Sequence, residues 1–137
     1  MQFVTAQSTA EAARLLAESG GAARVLAGGT DLLVQMKSGM VEPATIIDIK
    51  KIPGMMEITE EDGGYRIGAG VPGQMLGEHA GVVALWPGVV EGCELIGSTQ
   101  VQGRCTMVGN LCNASPAADS VPPMVAANAV ARIEGPD

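Results

Sequence analysis

The stretch VLAGGTDLL, residues 25–33, decides how the first part of this chain folds. An apolar run at 25–27 ends at Gly28-Gly29, and an apolar helical pattern begins at Leu32. Because glycine has no Cβ atom and tolerates positive φ, a ligand can approach the backbone N–H groups of both glycines closely. The N–H groups that open the following helix would point the same way, and Thr30 adds a hydroxyl. The stretch therefore predicts a strand–turn–helix unit that can cradle an anion such as pyrophosphate.

Two better-known phosphate-binding motifs are absent from this stretch. No Gly-Lys-Ser/Thr follows the glycines, which excludes a Walker loop, and the G-x-G-x-x-G spacing of a Rossmann fingerprint is not found. An ordinary strand-to-helix turn capped by Thr30 or Asp31 accounts for the same residues, because Gly-Gly pairs are common in turns. From these residues alone, the cradle and the ordinary turn are both open.

Strands and short helices alternate on both sides of this turn. Ser8 and Glu11 fit a capping box, which predicts a helix that ends at Gly20-Gly21. The first 50 residues are predicted as β-α-β-turn-α-β, with strands at 3–4, 24–27 and 45–49 and a second helix at 32–37. Beyond residue 53 we predict a hairpin (strands 55–59 and 65–69), helices near 74–79, 87–96 and 120–128, and a last strand at 131–134. The predicted class is α+β, with two small α/β lobes at 1–52 and 53–137.

Composition excludes several classes of function. The chain has 137 residues, of which 47% are hydrophobic, enough for one packed domain. A net charge of −7 and only one Phe, one Tyr and one Trp leave neither a basic stripe nor a stacking surface, so we expect no nucleic-acid binding. No apolar run approaches the roughly 20 residues of a spanning helix, and the first residues do not resemble a signal peptide. We therefore expect no membrane span and a cytoplasmic location.

The residues that could bind a metal or act as nucleophiles are few. Cys93, Cys105 and Cys112 form no CxxC pair, and His79 is the only histidine. We therefore expect free thiols and no protein-bound metal. The sequence also offers no candidate catalytic base or nucleophile, so we expect no catalytic residue.

A second polar segment, TMVGNLCNASPAAD, covers residues 106–119. Its hydrogen-bonding residues are Thr106, Asn110, Asn113, Ser115 and Asp119. This density suits a ligand with many polar edges, such as a ribityl chain or the rim of a heterocycle. A polar surface loop that leads to a helix cap at residue 119 or 120 is the alternative.

Together the two segments resemble the paired FAD-binding motifs of the flavoprotein subunit of molybdenum hydroxylases. That family includes the medium subunit of aerobic carbon monoxide dehydrogenase and the FAD domain of xanthine dehydrogenase. EHA at 78–80, WPGVVEG at 86–92 and IGSTQV at 96–101 keep the family's order and spacing, so the likeness covers essentially the whole chain. It implies a PCMH-type (vanillyl-alcohol-oxidase-like) FAD-binding fold, with FAD in the cleft between two α/β lobes.

The resemblance also implies which residues contact FAD. The turn at 27–32 would hold the pyrophosphate through backbone amides, while Thr106 and residues 108–110 would contact the phosphates and the ribityl region. Ile96 would pack against the cofactor, Asn113 and Asp119 would lie along the flavin, and residues 111 and 112 would approach its ring. The implied cofactor-binding residues are Val25, Leu26, Ala27, Gly28, Gly29, Thr30, Asp31, Leu32, Ile96, Thr106, Met107, Val108, Gly109, Asn110, Asn113 and Asp119.

In this family the flavoprotein subunit does no substrate chemistry of its own. Electrons pass from a molybdenum centre in a large subunit, through two [2Fe–2S] clusters in a small iron–sulfur subunit, to FAD and then to an external acceptor. The resemblance therefore implies an oxidoreductase subunit with these two partners. Its substrate belongs to the large subunit.

The chain departs from the family pattern at some positions. The family usually has two glycines where this chain has Val108-Gly109, Cys105 stands where glycine is frequent, and Gln102 stands where arginine is frequent. Relatives continue beyond residue 137, so we expect the second lobe to be incomplete. These departures motivate a second hypothesis, a flavin-free fragment or assembly module that keeps the fold and the subunit contacts.

The cradle hypothesis carries a mutational expectation. Valine at Gly28 or Gly29 should block the approach of the phosphates and abolish FAD binding. We expect either substitution to leave the fold largely intact.

Overall fold

The computed structural model describes residues 1–136. A three-stranded parallel sheet is built from β1 (Gln2–Thr5), β2 (Ala23–Leu26) and β3 (Thr45–Asp48), with β3 in the centre. The helices α1 (Thr9–Glu18) and α2 (Leu32–Lys37) connect consecutive strands. The predicted order β-α-β-turn-α-β is confirmed, and α2 has the predicted bounds.

Local sequence signals account for the start of α1. The Ser8 Oγ accepts a hydrogen bond from the Glu11 N–H at 3.1 Å. The Glu11 carboxylate in turn accepts from the Gln7 N–H at 2.8 Å, one residue before the cap itself. The predicted capping box is therefore present in a shifted form that still satisfies two backbone donors.

An antiparallel hairpin follows the sheet. Its strands are β4 (Ile58–Glu61) and β5 (Gly64–Ile67). Asp62 and Gly63 both have positive φ, at 50° and 77°, which makes a two-residue turn whose twist matches that of the strands. The predicted hairpin is confirmed, but β4 begins three residues later than predicted. The tight turn draws residues 60, 61 and 64 out of the expected loop and into the strands.

The remaining chain is mainly helical. Its elements are α3 (Gly73–Glu78), α4 (Ala80–Leu85), α5 (Pro87–Glu94), a 3₁₀ helix (Thr99–Val101), α6 (Met107–Cys112) and α7 (Val121–Ala126). The 3₁₀ helix, α4 and α6 are additions to the sequence prediction. The α4 helix begins at His79, whose Nδ1 accepts a hydrogen bond from the Val82 N–H at 3.2 Å. In this role the ring supplies an acceptor, as other N-cap side chains do.

The strand predicted at 131–134 is wrong. These residues have no regular secondary structure and pair with no strand in the part of the chain that the structure describes. Arg132 instead forms an exposed ion pair with Glu61 of β4. The hydrogen bond from Arg132 lowers the pKa of the Glu61 carboxyl. Without a neighbouring strand, the β-forming residues have no backbone partners to pair with.

Two clusters of buried apolar side chains hold the molecule together. One lies under the parallel sheet and comprises Ala6, Ala12, Ala23, Ile47, Ile49 and Ile52. The other lies among the helices and comprises Leu76, Val82, Val89, Val90, Cys93, Ile96, Cys105, Met107 and Met124. Met55 and Ala69 pack against the first cluster although both follow residue 52. The lobe boundary at residue 52 stays a prediction.

Candidate functional site

A cavity of about 410 Å³ lies where the carboxyl ends of β2 and β3 meet the segment that contains α6. Parallel strands commonly bind ligands at this end, because the loops that leave the strands converge there. The lining residues are Arg24, Val25, Ala27, Gly28, Gly29, Thr30, Asp31, Leu32, Gln35, Ile49, Ala69, Ile96, Thr106, Val108, Gly109, Asn110, Cys112 and Asn113. The two segments that the sequence singles out therefore line one cavity.

The turn after β2 presents a row of free backbone donors. From Gly28 to Leu32, no backbone N–H group makes a hydrogen bond to any other group of residues 1–136. Gly29 has a φ of +82°, and its carbonyl accepts from the Leu33 N–H at 3.0 Å, which closes the turn. Asp31 precedes α2 without making a side-chain capping bond. The ordinary capped turn therefore does not account for these donors, whereas an anionic ligand would.

Most of these free N–H groups belong to the turn before α2 and not to the helix itself. The α2 helix has six residues, none of them buried, so its macrodipole is weak and the turn itself must fix the N–H groups in place. Lys50, which the sequence reasoning missed, helps to do this. Its Nζ donates to the Ala27 carbonyl at 3.1 Å and pairs with the Asp48 carboxylate at 2.6 Å. The end of β3 is thereby tied to the start of the turn.

Gly28 packs directly against the backbone that leads into the second segment. A Cβ atom at Gly28 would lie 1.9 Å from the carbonyl oxygen of Arg104 and 2.8 Å from its carbonyl carbon. This contact leads straight into Cys105 and Thr106. The expectation that valine at Gly28 leaves the fold largely intact is therefore wrong, because a side chain there collides with backbone. At Gly29 the nearest atoms are side-chain methyls of Leu26 and Leu33.

The first half of the second segment forms the helix α6, and residues 113–119 after it form turns without regular secondary structure. Thr106 caps α6, and its Oγ1 accepts a hydrogen bond from the Gly109 N–H at 2.9 Å. A Cβ atom at Gly109 would stand 2.5 Å from that oxygen, so glycine allows the hydroxyl to reach the backbone. The result is a short helix whose first turn lines the cavity through Val108, Gly109 and Asn110.

Two glutamine side chains make hydrogen bonds to the lining residues Ile96 and Asn113. Gln102, which stands where the family often has arginine, donates through Nε2 to the Ile96 carbonyl at 2.9 Å and to the Glu94 carbonyl at 3.1 Å. This closes the end of α5 and places Ile96 at the cavity. Gln35 of α2 donates to the Asn113 Oδ1 at 3.0 Å. That hydrogen bond links the α2 helix to the second segment.

Three of the predicted contact residues lie outside the cavity lining. Leu26 packs beneath Gly29, Met107 is buried in the helical core, and Asp119 is exposed before α7 with its carbonyl oxygen facing Gly92. The remaining thirteen line the cavity, and Cys112 joins them. Arg24, Gln35, Ile49 and Ala69 are additions. Gln35 follows Leu32 by three residues on α2, a helical spacing that could have revealed it.

The three thiols differ sharply in their surroundings. Burial raises the pKa of Cys93 to about 12 and also raises that of Cys105, whereas Cys112 is exposed and lines the cavity. Since the thiolate is the reactive form, we expect a maleimide to label only Cys112 in the folded chain at about pH 8. Mass spectrometry of labelled peptides measures this.

Unfolding in urea should expose all three thiols to the reagent, and a ligand in the cavity should slow the labelling of Cys112. Rapid native labelling of Cys93 or Cys105 would contradict the burial described here.

Two kinds of feature are not found in residues 1–136. No group of three or more His, Cys, Asp or Glu side chains is arranged to hold a metal ion there. None of the helices in that range is both long and apolar enough to cross a bilayer.

Comparison with known proteins supports the fold and the cofactor, FAD, that the sequence resemblance implies. Residues 1–137 match the family described as the FAD binding domain in molybdopterin dehydrogenase. The medium chain of carbon monoxide dehydrogenase from Hydrogenophaga pseudoflava is 34% identical over 136 residues, which cover 99% of this chain and 47% of that relative. The xanthine dehydrogenase FAD-binding subunit of Escherichia coli O157:H7 is 33% identical over 132 residues, covering 96% of this chain and 45% of that relative.

Solved structures agree with this result. Reconstituted CO dehydrogenase from Oligotropha carboxidovorans superposes with a TM-score of 0.82 at 31% identity, covering 88% of this chain and 42% of that one. The enzyme from Hydrogenophaga pseudoflava gives a TM-score of 0.79 at 34% identity, with 85% and 40% covered. The chain thus spans less than half the length of these relatives, and its α+β, FAD-binding fold is theirs. With a match to the family over its whole length, the chain belongs to the FAD-binding domains of molybdopterin dehydrogenases.

Proposed function

We propose that this chain binds FAD in the cavity described above and serves as the electron-transferring flavoprotein part of a molybdenum-containing dehydrogenase. The observation that carries the proposal is the row of free N–H groups from Gly28 to Leu32 in residues that line the cavity. A dinucleotide supplies the anionic acceptors that such a row lacks. The residues implied to contact FAD are proposed as the FAD site, and all of them but Leu26, Met107 and Asp119 line the cavity.

The residues fit the cofactor chemically. The turn offers backbone donors suited to phosphate oxygens, and the second segment adds the polar side chains of Asn110 and Asn113 to the lining. Ile96, Ile49 and Ala69 give the same cavity an apolar part that suits an aromatic ring system. Bound FAD would supply the ability to accept electrons singly and release them in pairs. The protein's part is to bind and orient the cofactor.

The finer function is also part of the proposal. We infer that electrons arrive from [2Fe–2S] clusters of a small subunit, which receives them from a large molybdenum subunit, and leave for an external acceptor. The relatives support this, since they are named as medium chains or FAD-binding subunits of carbon monoxide and xanthine dehydrogenases. All three cysteines are free thiols, which agrees with a reducing, cytoplasmic compartment.

A visible absorption spectrum tests the cofactor assignment directly. We expect the purified chain, mixed with FAD and then desalted, to retain a flavin spectrum. Denaturation should release FAD, identified against FMN by chromatography. Riboflavin serves as the control ligand, because it lacks the phosphates that the turn would hold. Retention of riboflavin equal to that of FAD would contradict the cradle, and retention of neither would favour the flavin-free assembly module.

A further inference from the structure

Two asparagines in the cavity wall have their amide oxygens occupied by other parts of the chain. Asn110 Oδ1 accepts from the Ser120 hydroxyl at 2.7 Å and from the Ser120 backbone N–H at 3.3 Å. Asn113 Oδ1 accepts from Gln35 Nε2 at 3.0 Å. Ser120 is completely buried, and Gln35 lies on α2, which follows the turn at residues 28–31.

The contact with Ser120 determines how the Asn110 amide is turned. A backbone N–H can only donate, so the atom that faces it must be the amide oxygen. The Asn110 nitrogen then has no hydrogen-bond partner within residues 1–136, and no unpaired side-chain nitrogen or oxygen is buried in that range. The nitrogen is therefore accessible, in a residue that lines the cavity.

Gln35 and Asn113 face each other amide to amide, so the direction of this hydrogen bond is what the Gln35 variants below test. The hydrogen bond donated by Gln35 occupies the Asn113 oxygen and leaves the exposed Asn113 nitrogen free to donate. Both amides then offer N–H groups to the cavity. These groups add to the free backbone N–H groups of residues 28–32. These donors lie among lining residues that also include Arg24 and one carboxylate, that of Asp31.

We propose that Gln35 and Ser120 are positioning residues that hold the Asn113 and Asn110 amides with their nitrogens toward the cavity. This wall then binds its ligand through N–H donors and selects ligands with hydrogen-bond acceptors. The inference rests on the proposed function, because the phosphate and flavin carbonyl oxygens of FAD are such acceptors. Neither residue touches the reacting atoms, since each acts through an asparagine.

Two substitutions at Gln35 separate positioning from mere attachment of the two segments. In Gln35→Glu the carboxylate can only accept, so the Asn113 amide must rotate and turn its oxygen toward the cavity. In Gln35→Met a side chain of similar length makes no hydrogen bond, and the amide is free to adopt either orientation. Positioning therefore predicts weaker FAD binding by Gln35→Glu than by Gln35→Met. Attachment alone predicts the reverse, because only the carboxylate keeps a hydrogen bond to Asn113.

The experiment measures the FAD dissociation constant of the full chain by flavin fluorescence, at low and high salt. Val34→Glu provides the charge control, since Val34 is 65% exposed on the same helix and does not line the cavity. We expect Gln35→Glu to bind about tenfold more weakly than Gln35→Met at both salt concentrations, as for a donor replaced by an acceptor. Ser120→Ala should bind FAD nearly as tightly as the native chain, because the backbone N–H that turns the Asn110 amide is retained.

The outcomes are distinct. Gln35→Glu binding as tightly as Gln35→Met, or losing no more than Val34→Glu, overturns the positioning role. A native chain that takes up no FAD overturns the proposed function instead. In that case NMR of the side-chain amides still decides the positioning. The Asn113 NH₂ resonances should shift in Gln35→Glu and not in Val34→Glu, and unchanged resonances in both variants reject it.

Discussion

Replacing Gly28 with alanine is expected to destabilise the fold and to abolish FAD binding together. The new Cβ atom would stand 1.9 Å from the Arg104 carbonyl oxygen, and neither backbone segment can yield as a flexible side chain would. The strain should lower the free energy of unfolding by about 3 kcal/mol, at the upper end of the usual cost of overpacking. The displaced backbone also precedes Thr106, which caps α6 and lines the cavity. Urea unfolding and flavin fluorescence measure the two effects.

Gly88→Ala is the matched control for this prediction. Gly88 lies in α5, and a Cβ atom added there would have no other atom within 4 Å, so alanine fits. It should be neutral or stabilise the chain by up to about 1 kcal/mol, because alanine favours helix over glycine. A Gly28→Ala variant as stable as Gly88→Ala would show that Gly28 and the Arg104 backbone do not meet as described.

Replacing Gly29 with alanine should weaken both FAD binding and the fold. Gly29 has a φ of +82°, where a Cβ atom costs about 1–2 kcal/mol, and its nearest neighbours are the side chains of Leu26 and Leu33. Relaxation toward negative φ would turn the N–H groups of the turn away from the cavity. We expect the dissociation constant for FAD to rise by at least about tenfold, which corresponds to 1.4 kcal/mol.

Gly39→Ala separates backbone strain from ligand binding. Gly39 has a φ of +73°, an added Cβ atom would meet nothing within 4 Å, and the residue does not line the cavity. It should lose similar stability in urea while its affinity for FAD stays unchanged. Equal losses of FAD affinity in the two variants would mean that global strain, and not the Gly29 turn, controls binding.

The sequence predicted best the elements that local signals define. The Ser8 cap, the Gly-Gly pair after β2 and the β-branched run of β3 each act within a few residues. The predicted order of strands and helices over the first 50 residues is therefore correct. The sequence does not predict the α6 helix, because its polar residues are typical of a loop. Thr106 caps this helix through Gly109, and glycine stands where a capping box would have Glu or Gln. The false strand at 131–134 shows the reverse error, since β propensity needs a neighbour to pair with.

The candidate site follows the same division. The two glycine-containing segments were recognised from the sequence, because donors and flexible backbone are local properties. The contacts that bring these parts of the chain together could not be predicted. Gln35 and Asn113 are 78 residues apart, and the Gly28–Arg104 contact joins two separate stretches of backbone. The orientation of the Asn110 amide likewise depends on the position of Ser120, which precedes α7 and donates a hydrogen bond to that amide.

The sequence by itself determined which residues can offer backbone N–H groups to an anion, where helices begin, and which family the chain resembles. Only the tertiary structure decided that Gly28 serves close backbone packing, that Asp119 faces α5, and that Gln35 and Ser120 orient the amides of the cavity wall. The physical reason is range. Capping and backbone freedom act over three or four residues, whereas contact between distant segments is set by the packing of the cores beneath them.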